Sequence, residues 1–112
     1  MSGPHLNRQL VLEAPVRMPD GAGGLTESWS VLGTLWAEIR PRTGREANGE
    51  AGALAVGGFR ITVRAAPQGH SNRPVPGQRL RQGGRLFRIL TVTEHEPGGM
   101  YLICETREEV AA

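Results

Sequence analysis

An ordered run of strand and turn signals between Leu10 and Glu46 restricts this chain more than anything else in it. Leu10, Leu12 and Ala14 alternate with Gln9, Val11 and Glu13, the period-two spacing that points one row of side chains at a core. Pro15 reads as the end of that strand. Pro19-Asp20-Gly21-Ala22-Gly23-Gly24 supplies turn chemistry: a preset φ, a short side chain that caps locally, and glycines for positive φ. Leu25, Glu27, Trp29 and Val31 then share one strand face, with Trp29 read as core. After a short break, Leu35, Ala37 and Ile39 share another. Thr43 followed by Glu46 has the spacing of a capping box and predicts a helix start just after this third strand.

The rest of the chain continues in β grammar. Phe59, Ile61, Val63 and Ala65 alternate with Arg60, Thr62 and Arg64, the pattern of a half-exposed strand. Residues 66–77 hold three prolines and two glycines without apolar periodicity, so they form a long loop at the rim. Gln78 to Arg81 is a short strand, Gln82-Gly83-Gly84 turns it into Arg85 to Glu94, and Glu96-Pro97-Gly98-Gly99 makes a hairpin to Met100 through Thr106. The expected fold class is mainly β: a small antiparallel barrel or sandwich of about seven short strands, with one inserted short helix and long loops. Parallel pairing needs crossover helices, and only one is available. The 112 residues make one domain, with an N-terminal arm at 1–6, a helix/loop insertion at 43–58, the Pro/Gly loop at 66–77 and a polar tail at 107–112. Five aromatic residues leave the core mostly aliphatic, and Leu35, Ile39, Ile61, Val63, Phe87, Ile89 and Ile103 are its expected members.

Several function classes find no support. No apolar run approaches the roughly 20 residues that span a bilayer, and Met1-Ser2-Gly3-Pro4-His5 has no apolar signal core, so the chain is expected to be intracellular when made. Cys104 stands alone, which leaves no disulfide framework and no cysteine-based metal site. It alternates onto the face of Met100 and Leu102 and reads as a small buried hydrophobe. His5, His70 and His95 fall in a tail, a loop and a turn without ligand spacing. Ser28, Ser30 and Ser71 lack a nucleophile elbow. Gly21, Gly23 and Gly24 lead into a strand and not into a phosphate-binding helix. No enzyme, cofactor or metal is expected. All thirteen basic residues are arginines, but the net charge is only +2 and they are dispersed, which argues against a dedicated nucleic-acid patch.

The segment after the third strand carries conflicting signals. Ala47, Ala51, Leu54 and Ala55 make a narrow apolar stripe at helical spacing, whereas Gly44, Gly49 and Gly52 each cost about 1 kcal/mol against alanine in a helix. Such a helix takes its order from packing. It is a plug in the barrel's own end, a ring-forming or channel-facing element that changes conformation, or a flexible loop. Trp36 lies on the opposite face from Leu35, Ala37 and Ile39, beside Glu38 and Arg40. One displayed tryptophan among mixed charges suits a protein interface better than the aromatic row of an OB-type nucleic-acid barrel.

The motifs taken in order resemble a known family. Leu6-Asn7-Arg8 through Glu13-Ala14-Pro15, the Asp20-Gly21-x-Gly23-Gly24 turn, Thr26-Glu27-x-Trp29, Leu35-Trp36-Ala37-Glu38-Ile39-Arg40-Pro41 and Gly44-Arg45-Glu46 are similar to the small head–tail connector proteins of long-tailed phages. So are Phe59-Arg60-Ile61-Thr62-Val63-Arg64 and Gly84-Arg85-Leu86-Phe87-Arg88-Ile89. These are the head–tail joining, adaptor, head-closure or stopper proteins, also found in phage-derived gene transfer particles. One departure is that glycines 49, 52, 57 and 58 dilute a helix that family members often make rich in alanine and leucine.

The resemblance implies a structural virion protein, assembled in the bacterial cytoplasm and without cofactor or membrane. It would form a homo-oligomeric ring below the portal and its adaptor, closing the DNA channel and joining the head to a tail terminator or tail-completion ring. Double-stranded DNA would pass through it without sequence preference. Arg42, Thr43, Gly44, Arg45, Glu46, Ala47, Ala51 and Leu54 are then the candidate channel or gating segment, and Trp36, Glu38 and Arg40 the candidate subunit interface. An OB-like nucleic-acid barrel and a minor tail-tube or tail-terminator subunit are the alternatives.

Overall fold

A computed structural model describes residues 3–42, 57–95 and 98–109. They form six antiparallel strands: β1 (Arg8–Pro19), β2 (Leu25–Pro41), β3 (Gly58–Arg64), β4 (Arg79–Gln82), β5 (Arg85–Glu94) and β6 (Tyr101–Glu109). Their order is β1-β2-β3-β6-β5-β4, and the sheet closes into a barrel where Val11, Leu12 and Glu13 of β1 pair with Arg81, Leu80 and Arg79 of β4. Closure gives every strand a neighbour on both sides along part of its length. The mainly-β barrel expected from the sequence is the fold observed. Among the described residues there is no helix; Thr43, Gly44, Arg45, Glu46, Ala47, Ala51 and Leu54, with the helix expected there, lie outside them.

Six strands replace seven because the two expected around a break near Gly33 are one seventeen-residue strand, β2. The apparent break is a bulge: Leu12 pairs with Gly33 and Glu13 with Val31, leaving Leu32 as the extra residue. A bulge inverts the in/out parity of everything beyond it. Leu35 and Ala37 therefore point into the barrel, while Val31 and Trp29, also at odd positions, share the outer face of Glu13. The expectation that Trp29 is core fails for this reason. A second bulge sits in β5, where Ile89 pairs with Thr106 and Thr91 with Glu105. It leaves Leu90 43% exposed and brings Val92 to the core side.

Pro15 does not end β1. The ladder continues from Pro15 opposite Trp29 to Pro19 opposite Leu25, because each proline lies on a ribbon edge where its missing N–H costs no pairing. Nor is 107–112 wholly a tail: β6 runs to Glu109, and Glu108 N–H donates to Gly57 O.

The core holds Leu10, Leu12, Leu35, Ala37, Ile61, Val63, Leu80, Phe87, Ile89, Leu102 and Cys104. Five of the seven expected core residues are in it. Ile39 is half-buried against its edge. Ile103 is half-buried on the outer face, since Leu102 and Cys104 occupy the inner positions of β6. Phe59 meets Phe87 edge-on at 5.4 Å. Burial pushes the Cys104 thiol up to about 12, so it packs as a hydrophobe and is not a thiolate at neutral pH. One end of the interior is capped by Arg85, which grips Glu108 with two bonds of 2.8 and 3.0 Å and lies over the Phe59 and Phe87 rings. Near the other end, the 66–77 loop brings the Asn72 amide against Gly33 so closely that a Cβ at Gly33 would collide with it.

Candidate interaction surfaces

Beyond Glu13 and Val31, β1 and β2 continue for six residue pairs with no third strand, a projecting ribbon on the order of 20 Å long. Its tip is closed by Asp20, whose Oδ1 accepts from Ala22 N–H (2.8 Å) and Gly24 N–H (3.0 Å); Gly21 and Gly23 take the positive φ values of 83° and 87° that the turn needs. The two backbone bonds hold the Asp20 carboxyl below the ordinary range. Leu25, Val31 and Met18 on the ribbon are 67%, 59% and 58% exposed.

The ribbon is braced at its base by a cluster that strand grammar did not reveal. Trp29 lies under the guanidinium groups of Arg79, at 4.0 Å from the ring centre, and Arg88, at 5.1 Å. Glu13, buried, holds Arg79 at 2.7 Å and Arg81 at 2.9 Å. Burial works to raise the Glu13 carboxyl, but the hydrogen bonds and charges of the two guanidinium groups outweigh it and keep the group below its usual range. Arginine serves here where lysine would not, since a planar guanidinium both stacks on indole and hydrogen-bonds a carboxylate edge. Glu13 gave no advance signal of this, since it falls on the row of Gln9 and Val11, opposite the apolar row of β1.

On the barrel body, Trp36, Glu38 and Arg40 fall at alternate positions on the outer face of β2. Trp36 is 55% exposed. Glu38 accepts from His5 N–H at 3.1 Å and lies 3.2 Å from Arg40. Those contacts, the backbone one foremost, lower its pKa against the opposing effect of burial. The N-terminal arm thus lies across this face, alongside a groove of about 600 Å³ that also touches Thr62, Tyr101 and Ile103. Arg42 leaves the strand paired with the chain's own Glu105 at 3.5 Å, and Glu105 also holds Arg60 at 2.9 Å. Arg42 N–H donates to Gly58 O, so the two ends of the 43–57 segment are fastened together. Ribbon and segment leave β2 at its opposite ends.

His70 accepts from Asn72 N–H and His95 stacks edge-on against Tyr101; among the described residues no three metal-ligating side chains come together. Phe59 and Phe87 are internal and Trp29 is covered by arginines, which leaves Trp36 and the half-buried Tyr101, with Arg64 over its ring, as the aromatic side chains on the outer face of the barrel body.

A closed barrel with its chemistry on the outside, a braced projecting ribbon and a displayed tryptophan define an assembly subunit, a protein whose surfaces are its working parts. The chain belongs to the phage head completion protein family, whose model matches residues 1–109; its role is structural, in completing the head of a phage-like virion. It is similar to a chain of the virion of a native gene transfer agent particle, with 47% identity, a TM-score of 0.76, and 97% of this chain and 100% of that one covered. Protein SF1141 from Shigella flexneri 2a, a solution structure, shares the fold at 23% identity, with a TM-score of 0.68 and 96% of each chain covered. No curated protein matches.

Proposed function

We propose that this subunit forms a homo-oligomeric ring in the head–tail connector, below the portal and its adaptor, where it closes the DNA channel and joins the head to the tail-side ring. The observation that carries this reading is the 47% identity, over 97% of this chain and 100% of the other, to a component of a gene transfer agent virion. The layout of β2 supports it. A ring needs two different surfaces on each subunit, one for each neighbour, and a connector needs further ones above and below. This chain offers the ribbon at one end of β2, the segment rooted between Arg42 and Gly58 at the other, and the Trp36, Glu38 and Arg40 face between them. We assign the segment, from Arg42 through Leu54, to the channel, where its glycines and capping box suit an element ordered by its neighbours. Packaged double-stranded DNA passes without base-specific contact, in keeping with a net charge of only +2.

Removing the gene should give DNA-filled heads without tails, and supplying the protein should restore tailed particles. Normal tailed particles in its absence would end the proposal. The channel assignment has its own test: amides of residues 47–57 should exchange fast in the isolated subunit and slowly in the particle, and equal protection in both would make the segment a passive part of the barrel.

A further inference from the structure

The two edges of the ribbon are built differently. On the β1 side, Pro15 and Pro19 remove two donors and Arg17 adds a charge, the usual devices by which a sheet edge is kept from pairing. The β2 side has no proline from Leu25 to Trp36, and Glu27 is its one charge. Pairing with β3 begins only at Ala37 opposite Val63, so among the described residues the outer edge of β2 from Leu25 to Trp36 pairs with no strand. β3 stays with β6 as far as Arg64 opposite Tyr101, so β2 and β3 part like a fork. The fork holds a cleft of about 490 Å³ lined by Leu6, Thr34, Leu35, Trp36 and Arg64. Arg64 rests over the Tyr101 ring at 5.6 Å and, among the described residues, has no carboxylate within ion-pair distance.

We propose that this fork receives an extended acidic segment of a different protein. The segment adds to the free edge of β2 as one more strand, seats an apolar side chain against Leu6, Leu35 and Trp36, and sets a neighbouring carboxylate on Arg64. Backbone pairing supplies affinity, and the cleft and its arginine supply selectivity. A second copy of this chain fits less well: its β1 edge is blocked by the two prolines, and β2 against β2 makes a two-fold pair that uses up the edge and builds no ring. The inference rests on reading the Trp36 face as an interface, but not on ring position or channel closure.

The probe is a random twelve-residue peptide library displayed on yeast and sorted on the purified subunit. Enriched sequences should pair an apolar residue with Asp or Glu, and the bound peptide should slow amide exchange from Ser28 to Trp36. Arg64→Gln and Trp36→Ala should each weaken binding about tenfold, the scale of one charge-assisted or well-packed contact. Arg17→Gln, on the other ribbon edge, should leave it unchanged. Both cleft residues are exposed enough for the variants to fold, which their melting curves check. No enrichment, enrichment without acidic positions, indifference to Arg64→Gln, or unchanged exchange along β2 would each overturn the inference. So would self-association of the subunit that protects the same amides. The assay needs no particle, so its failure leaves the head–tail reading standing, and tailed particles without the protein would leave this result standing.

Discussion

The barrel body and the ribbon are made by the same two strands, yet they differ in almost every physical respect. In the body each strand has two neighbours, and Leu10, Leu12 and Ala37 are fully buried. A few residues along the same strands, Val31, Leu25 and Met18 are more than half exposed. A two-stranded ribbon is marginal by itself in water, so what holds this one out straight is its tip and its base. The difference teaches that burial along β1 and β2 is set by where the two strands leave the barrel and not by the apolar content of the segment.

The largest break in that contrast comes from the body. Phe87→Ala should cost roughly 3–5 kcal/mol, most of the stability of a small domain, and lower the melting temperature of the whole chain. A loss of only a degree or two would mean that the body is not the stabilising unit.

Next comes the joint between the regions. Glu13→Gln leaves Arg79 and Arg81 without their carboxylate and should cost about 1–3 kcal/mol. The same group sets a pH dependence. Its folded pKa, like that of Glu108, lies below the ordinary 4.5. Its contribution is therefore complete above that value and is lost as pH falls through the folded pKa. Thermal melts between about pH 7 and about pH 3 should fall less steeply for the variant than for the parent, and parallel curves would remove Glu13 from the account.

A smaller effect, confined to the ribbon, is expected at Trp29. Losing the stack under Arg79 and Arg88 is worth about 0.5–2 kcal/mol, so Trp29→Ala should speed amide exchange from Ala14 to Val31 while the core amides of β3 and β6 keep their protection. Uniform acceleration would make Trp29 part of the body after all. The smallest effect on stability belongs to Trp36→Ala, which should melt within a degree or two of the parent and yet stop particle completion. Tailed particles from that variant would strip the Trp36 face of its role.

Period-two alternation, turn glycines and a missing supply of crossover helices were enough to read an antiparallel barrel, an aliphatic interior, a lone buried cysteine and a displayed Trp36 from the residues alone. Those properties depend on near neighbours in the chain, and side-chain parity carries them as long as a strand stays regular. Gly33 and Leu32 looked like a break between strands because a bulge and a turn both disturb alternation. Only pairing with β1 distinguishes them, and with it the fate of Trp29. Glu13 gave no sign of its partners, since Arg79 and Arg81 lie more than sixty residues away and meet it only when β4 closes the barrel. The sequence by itself determined the alternating faces and the places where the chain turns. Tertiary structure decided which faces were covered, because covering a face takes a strand from elsewhere, and the chain's local pattern is the same whether that strand arrives or not.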